Sequence, residues 1–518
     1  MGFDSLSPKF HELNSKREQL FEGGGSERIA QQHDKGKMTA RERLDYFFDE
    51  GTFIELNVYS QHNSTEFGLA KTKAYGDGVI TGFGLVNGRK VFAYAQDFTF
   101  LGGSLGEMHA AKIAALQDKA IAAKCPIVGL HDSGGARIQE GIRSLAGFGK
   151  IFYRNVKASG VIPQIAVIMG PCAGGAVYSP GLMDFVFMVE NTGQMFITGP
   201  KVIATVTGEK VSIEELGGAR THTEISGVAH KKAKDDKTCL DYVKELMSYL
   251  PDSAIDSPKQ IHLSESTNIY CEELDDIIPE NPAKSYDISQ IIGAVLDDGA
   301  FYEIHDSYAL NIRIGFGKID GTTVGIVANN SQVLAGCLDI KGSKKAARFI
   351  RTCDSFGIPL VTFVDTPGFL PGTDQEYGGI IRDGATILYA YSEATVPKIT
   401  VVLRKAYGGA YIAMCSRELG ADAVFAWPGA EIAVMGPEGA VDIVYKREID
   451  NSKDPDIARR EKIEEYKQNF ANPFNAANSG FIDDVILPGE TRQRIIMAIM
   501  MASNDKADNK IKHGNIPI

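Results

Sequence analysis

The sequence has few cysteines, no long apolar run and no signal-peptide pattern. Its seven cysteines include no C-x-x-C pair, which excludes a zinc ribbon and is typical of reduced thiols in a cytosol-like compartment. No stretch approaches the ~20 apolar residues that are needed to span a bilayer. The start, Met1 to Ser5, lacks the charged-then-apolar order of a signal peptide. We therefore expect a cytoplasmic protein without a membrane-spanning segment.

Signatures of nucleotide, metal and nucleic-acid binding are also missing. No G-x-x-x-x-G-K-[ST] motif occurs, so Asp365-Thr366-Pro367-Gly368, although it resembles a nucleotide-switch tetrapeptide, does not indicate nucleotide hydrolysis. There is no H-E-x-x-H motif and no cluster of metal ligands, and no metal site is predicted. The formal net charge of −12 lacks the basic excess that a sequence-independent grip on nucleic acid needs.

The sequence does contain a buried-strand pattern that ends in a glycine pair and continues as a helix, at Val401 to Tyr411. Gly408 and Gly409 let the backbone adopt positive φ and approach a ligand closely. The first N–H groups of a helix have no intrahelical acceptor and carry partial positive charge. The stretch therefore fits either a tight strand-to-helix turn or an oxyanion hole made of backbone N–H groups.

The same arrangement occurs earlier in the chain, at Val167 to Tyr178, where Gly174 corresponds to Gly408. The segments that flank this turn also repeat. The distance along the chain between the two copies is the same for each segment, and it is one residue shorter than the distance between Gly174 and Gly408. Three matches share it, and they pair Gly82-Phe83-Gly84 with Gly315-Phe316-Gly317, Asn87-Gly88 with Asp320-Gly321, and Asp132-Ser133-Gly134-Gly135 with Asp365-Thr366-Pro367-Gly368. An ordered series of this kind indicates a tandem duplication with one Gly-Gly-Ala turn in each half.

Length and patterning predict two α/β domains. A chain of 518 residues exceeds what one hydrophobic core usually serves. Short strands alternate with helical periodicity, which is typical of an α/β domain built from repeated β-β-α units. The stretch from Pro251 to Pro282 is polar, acidic and proline-bearing, so it is predicted as the linker. We place the boundary within it and predict domains at residues 1–262 and 263–518.

Several polar side chains are candidates for chemistry. His131 and Asp132 follow a predicted strand from Ile127 to Leu130, and they fit either structural bonds or acid–base work. The glycine-rich turn after them would line the same sheet edge as the Gly174 turn, because ligands bind at the carboxyl ends of strands in open sheets. In the second half, one helical face is basic and is either solvated or a phosphate site. Its residues are Lys341, Lys344, Lys345 and Arg348.

Two backbone oxyanion holes, one in each half, suit a transfer between two carbonyl-type substrates better than hydrolysis by a side-chain nucleophile. The stretches around them are long and specific, and they comprise Asp132 to Gly141, Met169 to Tyr178, Val364 to Gly379, Arg404 to Tyr411 and Ala426 to Gly436. Through these motifs the chain resembles the biotin-dependent acyl-CoA carboxyltransferases over nearly its whole length. The most similar groups are the propionyl-CoA carboxylase β subunits, the methylmalonyl-CoA transcarboxylases and the methylmalonyl-CoA decarboxylase α subunits.

The resemblance implies an α/β fold that is a tandem duplication of two crotonase-like domains (ββα superhelices). It implies a homo-hexamer whose active sites lie between the N-terminal domain of one subunit and the C-terminal domain of another. Acyl-CoA would bind to the N-terminal domain, and biotin, carried on a separate protein, would enter from the C-terminal side. The implied partners are a biotin carboxylase and/or a biotin carboxyl carrier subunit, with no nucleic acid, and a membrane is reached only indirectly if the complex is a decarboxylase pump.

Carried over by motif, Gly174 and Gly175 would face the thioester oxygen of acyl-CoA, with Ala176 as the alternative from the internal alignment. Gly409 and Ala410 would face the ureido oxygen of biotin. The implied substrate-binding residues are Gly134, Gly135, Ala136, Ala176, Tyr178, Tyr411 and Ile412. The resemblance also implies that no side-chain base is required, since the biotin anion takes the α-proton and the acyl enolate captures carbon dioxide.

One position departs from the propionyl-CoA carboxylases, which typically carry Asp after Gly-Ala-Tyr, at a site that the family links to acyl-chain selection. This chain has Ile412 there, and the transcarboxylase and decarboxylase branches also carry an aliphatic residue. The acyl-CoA therefore stays open between propionyl-CoA, methylmalonyl-CoA and acetyl-CoA. Alternative functions are the α subunit of a sodium-pumping methylmalonyl-CoA decarboxylase and a methylmalonyl-CoA transcarboxylase. A remote alternative is a biotin-independent crotonase-type hydratase or hydrolase, which would need a carboxylate such as Glu376, Glu431 or Glu438.

Overall fold

The structure, a computed structural model, describes residues 8–255, 269–279, 281, 284–503 and 513–517. Described residues up to 255 form one compact unit, and those from 269 to 516 form a second. The predicted boundary between residues 262 and 263 lies outside the described residues, so it stays a prediction.

In the described part of the first unit, eight strands alternate with helices. The strands are β1 (Ile54–Leu56), β2 (Val79–Val86), β3 (Arg89–Gln96), β4 (Ile127–Ser133), β5 (Gln164–Ala173), β6 (Phe185–Val189), β7 (Gln194–Phe196) and β8 (Lys231–Ala233). The α-helices are α1 (Pro8–Phe21), α2 (Ser26–Asp34), α3 (Ala40–Phe47), α4 (Glu107–Ala123), α5 (Ile142–Ala158), α6 (Tyr178–Leu182), α7 (Pro200–Val206), α8 (Ile213–Gly217) and α9 (Asp236–Met247).

The described part of the second unit repeats this order. Its strands are β9 (Tyr302–Ile304), β10 (Ile312–Ile319), β11 (Thr322–Asn329), β12 (Leu360–Thr366), β13 (Lys398–Tyr407), β14 (Ala423–Ala426), β15 (Glu431–Ala433) and β16 (Asp484–Val485). Its α-helices are α10 (Ile288–Val295), α11 (Ile340–Ser355), α12 (Thr373–Gly378), α13 (Ile380–Glu393), α14 (Gly408–Ala413), α15 (Pro437–Val444), α16 (Lys446–Asp450), α17 (Pro455–Asn469), α18 (Pro473–Asn478) and α19 (Thr491–Ser503).

The two sheets have the same topology, which confirms the predicted duplication. The first runs β1-β2-β3-β4-β5-β6-β8 with β7 paired to β5, and the second runs β9-β10-β11-β12-β13-β14-β16 with β15 paired to β13. In each sheet the first three strands are antiparallel and the later ones are parallel. The predicted α/β class is therefore confirmed in both halves.

The hairpin turns show how local sequence sets this topology. Asn87 and Gly88 both have positive φ, at 51° and 77°, and Asp320 and Gly321 repeat this at 50° and 74°. Positive φ at both central residues is the two-residue turn whose twist matches that of the flanking strands. The two predicted hairpins are therefore confirmed, and they fix the register of β2 with β3 and of β10 with β11.

The central strands are longer than the sequence pattern predicted. β4 is buried along its whole length and continues to Ser133 rather than ending at Leu130. His131 and Asp132 therefore lie inside the strand, where helices cover both faces of a parallel sheet. On one side α4 and α5 pack against each other, and α5 buries residues that recur every three or four positions.

Candidate active site

The two Gly-Gly-Ala turns have the same backbone conformation. β5 ends at Ala173 and a 3-10 helix, Gly174–Val177, follows at once. β13 ends at Tyr407 and α14 follows at once. The first glycine has positive φ in both turns, 63° at Gly174 and 58° at Gly408. Residues with a side chain pay about 1–2 kcal/mol for that conformation, so the repeated glycine is required by the turn.

Each turn presents main-chain donors rather than side chains. With Ala173 and Tyr407 as the N-terminal caps, the first helical residues are Gly174 and Gly408. The N–H groups at these helix starts precede the first residue that has an intrahelical acceptor. The methyl groups of Ala176 and Ala410 are buried, so these residues can face a ligand only through their backbone. Gly409 itself is exposed.

A second glycine loop lies against the first turn. A Cβ added to Gly135 would lie 2.9 Å from the carbonyl oxygen of Ala173, the residue just before the turn. The N–H of Gly134 donates to Gly102 O at 2.9 Å and that of Gly135 to Ser133 Oγ at 3.1 Å. Gly134 and Gly135 thus reach the first turn as predicted, but they use their own N–H groups inside the loop.

The next residue, Ala136, is placed differently. Leu105 N–H donates to Gly135 O at 2.9 Å, and Arg137 N–H donates to Leu105 O at 3.0 Å. These two hydrogen bonds form a parallel bridge between Leu105 and Ala136. They use the carbonyl of the residue before Ala136 and the N–H of the residue after it, so the N–H of Ala136 itself points away from Leu105. Ala136 is therefore the residue of this loop that can offer a donor.

The second unit contains the same bridge, at the common offset of the repeated segments. Leu338 pairs with Phe369, with Leu338 N–H donating to Gly368 O at 3.1 Å and Leu370 N–H to Leu338 O at 2.8 Å. The Phe369 ring is the nearest group to a Cβ added at Gly409, at 3.8 Å. Sequence reasoning missed Phe369, although its offset from Ala136 equals that of the other repeated segments.

A buried arginine holds the glycine loop of the first unit. Arg137 Nη1 donates to Asp77 Oδ1 at 2.7 Å and to Glu140 Oε1 at 2.9 Å, and Glu140 accepts the N–H of Glu107 at 2.7 Å. Arg137 is 1% exposed, and burial raises the pKa of the Asp77 carboxyl although the guanidinium opposes that shift. The contact ties the loop to the start of α4.

The two alternatives for His131 and Asp132 resolve in favour of structural roles. Burial lowers the pKa of His131 to about 3, and its Nε2 lies 3.2 Å from the Tyr94 hydroxyl. Asp132 is fully buried and forms ion pairs with Lys37 and Arg43. A neutral histidine and a paired aspartate, both inside the strand, are not placed to exchange protons with a ligand at the turn.

The other predicted substrate-binding residues flank the turns. Tyr178, the first residue of α6, is 49% exposed, and Ile412, inside α14, is 42% exposed. The Tyr411 hydroxyl is buried and has no hydrogen-bond partner among the described residues. Burial raises the pKa of Tyr411 to about 12, so the hydroxyl stays protonated and available as a donor.

The three carboxylates that are candidates for the base of a hydratase differ in their exposure and in their partners. Glu431 accepts the Tyr407 hydroxyl and forms an ion pair with Lys467 at 3.4 Å. Glu376 and Glu438 are exposed. None has the buried, unpaired setting that tunes a carboxyl toward general-base work.

The described residues form neither a metal site nor a membrane helix. No group of three or more histidine, cysteine, aspartate or glutamate side chains in these ranges could hold a metal ion. Within the same ranges, no helix is long and apolar enough to cross a membrane.

Two repeated α/β units, each with a central strand that ends in a glycine turn, make up the described part of the chain. The carboxyl transferase domain model matches residues 31–516. The chain therefore belongs to the carboxyl transferase family, and it is a carboxyltransferase. This confirms the resemblance seen in the sequence.

Relatives and a solved structure cover almost the whole chain. The carboxyltransferase subunit of propionyl-CoA carboxylase from Haloferax mediterranei is 57% identical, over 99% of this chain and 100% of its own. The α subunit of methylmalonyl-CoA decarboxylase from Propionigenium modestum is 55% identical, over 98% of this chain and 99% of its own. The transcarboxylase 12S structure, a hexamer with methylmalonyl-CoA bound, matches with a TM-score of 0.95 and 50% identity over 99% of both chains. The expected tandem of crotonase-like domains is thus confirmed.

Proposed function

We propose that this chain is the carboxyltransferase subunit of a biotin-dependent acyl-CoA carboxylase, and that each Gly-Gly-Ala turn serves one of two substrates. A short acyl-CoA (propionyl-CoA, methylmalonyl-CoA or acetyl-CoA) uses the first turn, and biotin on a carrier protein uses the second. The observation that carries the proposal is the repeated positive φ at Gly174 and Gly408, each between a buried strand and a helix start. A reaction with two developing oxyanions needs two such turns.

The first turn stabilises the enolate of the acyl-CoA. The thioester oxygen gains negative charge when the α-carbon loses a proton or a carboxyl group, and a preorganised N–H donor at that oxygen is worth about 3–4 kcal/mol. Gly174 and Gly175 are the donors predicted from the motif. Because Gly409 and Ala410 align internally with Gly175 and Ala176, the duplication favours Ala176 as the second donor. Ala136, whose N–H points away from its bridge partner, supports the same oxygen from the neighbouring loop.

The second turn suits the cyclic urea of biotin. Gly409 and Ala410 offer two N–H groups, and the buried Tyr411 hydroxyl in the same helix lacks a partner among the described residues. Before the reaction an uncharged polar ring satisfies such donors without bringing a buried charge, and the same donors would stabilise the charge that the ureido oxygen gains when the carboxyl group leaves. When its carrier delivers it, biotin supplies the carboxyl group and the base for the α-proton. The chain's own residues therefore bind, orient and polarise, which agrees with the structural roles of His131 and Asp132.

The transcarboxylase 12S match supports a homo-hexamer, and the family supports a biotin carboxylase or a biotin carboxyl carrier subunit as partner in the cytoplasm.

The decisive experiment uses purified full-length protein, free biotin and methylmalonyl-CoA or malonyl-CoA. We expect decarboxylation of the thioester to require biotin. We expect Gly409→Val to lower this activity at least about 100-fold, the scale of a lost oxyanion donor, because its side chain would keep the ligand oxygen away from the N–H groups of the turn.

The matched control is Gly293→Val in α10, because a Cβ added there meets nothing closer than 3.9 Å. It should keep the wild-type rate. Turnover of the thioester without biotin would refute the proposed transferase and favour a biotin-independent hydrolase.

A second function is favoured by the 55% identity to a methylmalonyl-CoA decarboxylase α subunit and by the aliphatic residue Ile412. In that case the same chemistry would serve a sodium-pumping decarboxylase. Purification of the complex from its own cells separates the two functions: a membrane subunit that copurifies stoichiometrically indicates the decarboxylase, and a biotin carboxylase indicates the carboxylase.

A further inference from the structure

Both strands that lead into the turns carry the same irregularity. In the second unit Val364 pairs with Val402, but the next pair is Thr366 with Ala406. Two residues on β12 thus correspond to four on β13, which is a bulge of two extra residues. Beyond it, β13 leaves β14 and pairs with β15. A bulge bends and re-aims its strand, and Gly408 follows only two residues after Ala406.

A buried carboxylate fills this bulge. Asp365, 1% exposed, accepts the N–H of Lys405 through Oδ1 at 3.1 Å. Its Oδ2 accepts Arg404 Nη2 at 2.9 Å and Arg404 Nε at 3.2 Å. Arg404 Nη1 donates to Lys284 O at 2.7 Å, and the guanidinium lies 5.0 Å from the centre of the Tyr286 ring. The arginine is therefore held on three sides and cannot change its orientation freely.

The first unit has the same bulge and the same carboxylate. His131 pairs with Ile168, and Ser133 pairs with Cys172. Asp132 occupies the place of Asp365, but the bulge residues differ, since Gly170 and Pro171 stand where the second unit has Arg404 and Lys405.

Neither of those residues can supply a side-chain cation to the carboxylate. Proline has no N–H, and a Cβ on Gly170 would lie 1.8 Å from Asp132 Oδ1. The cations come instead from the loop between α2 and α3, which carries Lys37, and from α3, which carries Arg43. Lys37 Nζ donates to Asp132 Oδ1 at 2.8 Å, and Arg43 Nη1 donates to Oδ2 at 2.9 Å.

Arg43 also fastens the bulge directly, because its Nη2 donates to Met169 O at 3.2 Å. In both repeats, therefore, a buried carboxylate and its cations hold the bulge that precedes the turn. The cations come from different parts of the chain in the two repeats. A feature that is kept while its supporting residues differ is one that the turn itself needs.

We propose that Asp365 and Arg404 are positioning residues for the second turn, which fix the β13 bulge so that the N–H groups of Gly409 and Ala410 point at the ligand oxygen. Both would act through the bulge and not through a contact with the ligand. The inference rests on the proposed function, since it assigns the second turn to biotin. Asp132 with Lys37 and Arg43 fills the corresponding role for the first turn.

The test is Asp365→Asn, which keeps the size of the side chain and an acceptor for Lys405 N–H but loses the charge that holds Arg404. We expect kcat of biotin-dependent methylmalonyl-CoA decarboxylation to fall about 10- to 100-fold, the scale of a misaligned catalytic geometry. We expect the Kd of methylmalonyl-CoA, measured by calorimetry without biotin, to stay within about twofold, because that substrate uses the first turn.

The matched control is Asp297→Asn, at another ion pair of the second unit (Arg492 Nη2 to Asp297 Oδ1, 2.6 Å) that caps the β10–β11 hairpin. It should lower the unfolding temperature without lowering kcat of the folded protein. Equal kcat for wild type and Asp365→Asn, or a parallel loss in both variants, would overturn the proposal.

Arg404→Lys keeps the positive charge but cannot make the same paired contact. If Asp365→Asn does not fold, Arg404→Lys takes its place in the test, with the same expected loss of kcat. If neither variant folds, the pair is a folding element and the proposal is wrong. Biotin-independent turnover by the wild type would instead refute the proposed function, so the two failures are distinguishable.

Discussion

Lys345 occupies in the second repeat the place that Lys112 occupies in the first, and both ammonium groups are buried against backbone carbonyls. Lys112 Nζ donates to Gly76 O at 3.0 Å, and Lys345 Nζ donates to Tyr308 O at 2.7 Å and to His305 O at 2.9 Å. The carbonyls belong to the segment before the hairpin of each sheet. Each lysine thus fastens that segment to the α-helix that follows the hairpin, α4 in the first unit and α11 in the second.

This burial predicts a stability that rises with pH. Burial lowers the pKa of Lys345 to about 7, from 10.5 for an exposed lysine. Between those values the unfolded chain binds one proton more than the folded chain, so the free energy of unfolding rises with pH by up to about 1.4 kcal/mol per pH unit. The cost of the buried charge is therefore complete below pH 7 and is relieved as the pH approaches 10.5.

We expect Lys345→Met to lose this gradient, so that the unfolding temperature rises less between about pH 7 and 9.5 than in the wild type. Lys344→Met, at a half-exposed neighbour that pairs with Asp383 at 3.6 Å, is the control and should keep the wild-type gradient. Thermal unfolding in a pH series measures both. Equal gradients in wild type and Lys345→Met would contradict the assignment.

Lys345 also shows where sequence reasoning failed. Helical spacing placed it on one face with Lys341, Lys344 and Arg348, as a solvated stripe or a phosphate site. That interpretation is wrong for Lys345, which is 2% exposed, while Lys341 is exposed. Helical periodicity predicts on which face of the helix a side chain lies. It does not predict whether another segment of the chain covers that face. The signal that could have corrected it was Lys112 at the repeat offset.

The backbone conformation of the two turns could be predicted from the sequence because it is local. A glycine pair between strand and helix patterns identifies the turn because positive φ at Gly174 and Gly408 is imposed by neighbouring residues. The supports could not be predicted, because their partners are far apart in the chain. Asp77 meets Arg137 across 60 residues, and Arg43 meets Asp132 across 89. No local pattern marks such pairs.

A buried neutral histidine predicts a loss of stability in acid. Burial lowers the pKa of His131 to about 3, from 6.5. Between these values the unfolded chain binds a proton that the folded chain does not, so stability falls as the pH drops from 6.5 toward 3, by up to about 1.4 kcal/mol per pH unit. His131→Gln, which keeps an acceptor for the Tyr94 hydroxyl, should flatten the decline.

His11→Gln in α1, at an exposed position, is the control for this variant and should follow the wild type. Denaturant unfolding between about pH 4 and 7 measures the decline. A variant as acid-sensitive as the wild type would show that other groups cause it.

The two glycines of the first turn should respond differently to alanine. Gly174→Ala places a side chain at φ 63°, which costs about 1–2 kcal/mol. Gly175 has no positive φ, and a Cβ there meets Phe148 at an ordinary 3.6 Å, so Gly175→Ala should stay within about 0.5 kcal/mol of the wild type. Denaturant unfolding of both variants tests the difference, and the reverse order would show that close packing, not backbone conformation, limits the turn.

Ile412 should influence the choice of acyl chain. It is 42% exposed, two residues after Ala410, and the resemblance noted in the sequence implies an Asp at this position in propionyl-CoA carboxylases. Pocket changes of one methylene shift selectivity about 10- to 200-fold. We therefore expect Ile412→Asp to raise the propionyl-CoA to acetyl-CoA ratio of kcat/KM by about 10-fold. Ile457→Asp in α17, at a 48% exposed isoleucine, should leave the ratio unchanged, and a shift in both variants would remove Ile412 from the specificity site.

Helix α5 carries an apolar row that the described part of the chain leaves uncovered. Ile142, Leu145, Tyr153 and Val156 are 57–75% exposed and recur at helical spacing. A soluble monomer rarely exposes such a row, whereas a subunit of the proposed hexamer would bury it. A carboxylate in the row must be desolvated at the interface, which costs several kcal/mol if it finds no partner.

We therefore expect Leu145→Glu to shift the assembly toward smaller species in sedimentation at micromolar concentration. Lys150→Glu, which puts the same side chain on an exposed polar position of the same helix, should leave the assembly intact. An intact hexamer in Leu145→Glu would mean that α5 faces solvent and that the subunits meet through another surface. Loss of assembly together with loss of the folded state would point to packing within the unit, and circular dichroism of the separated species distinguishes that outcome.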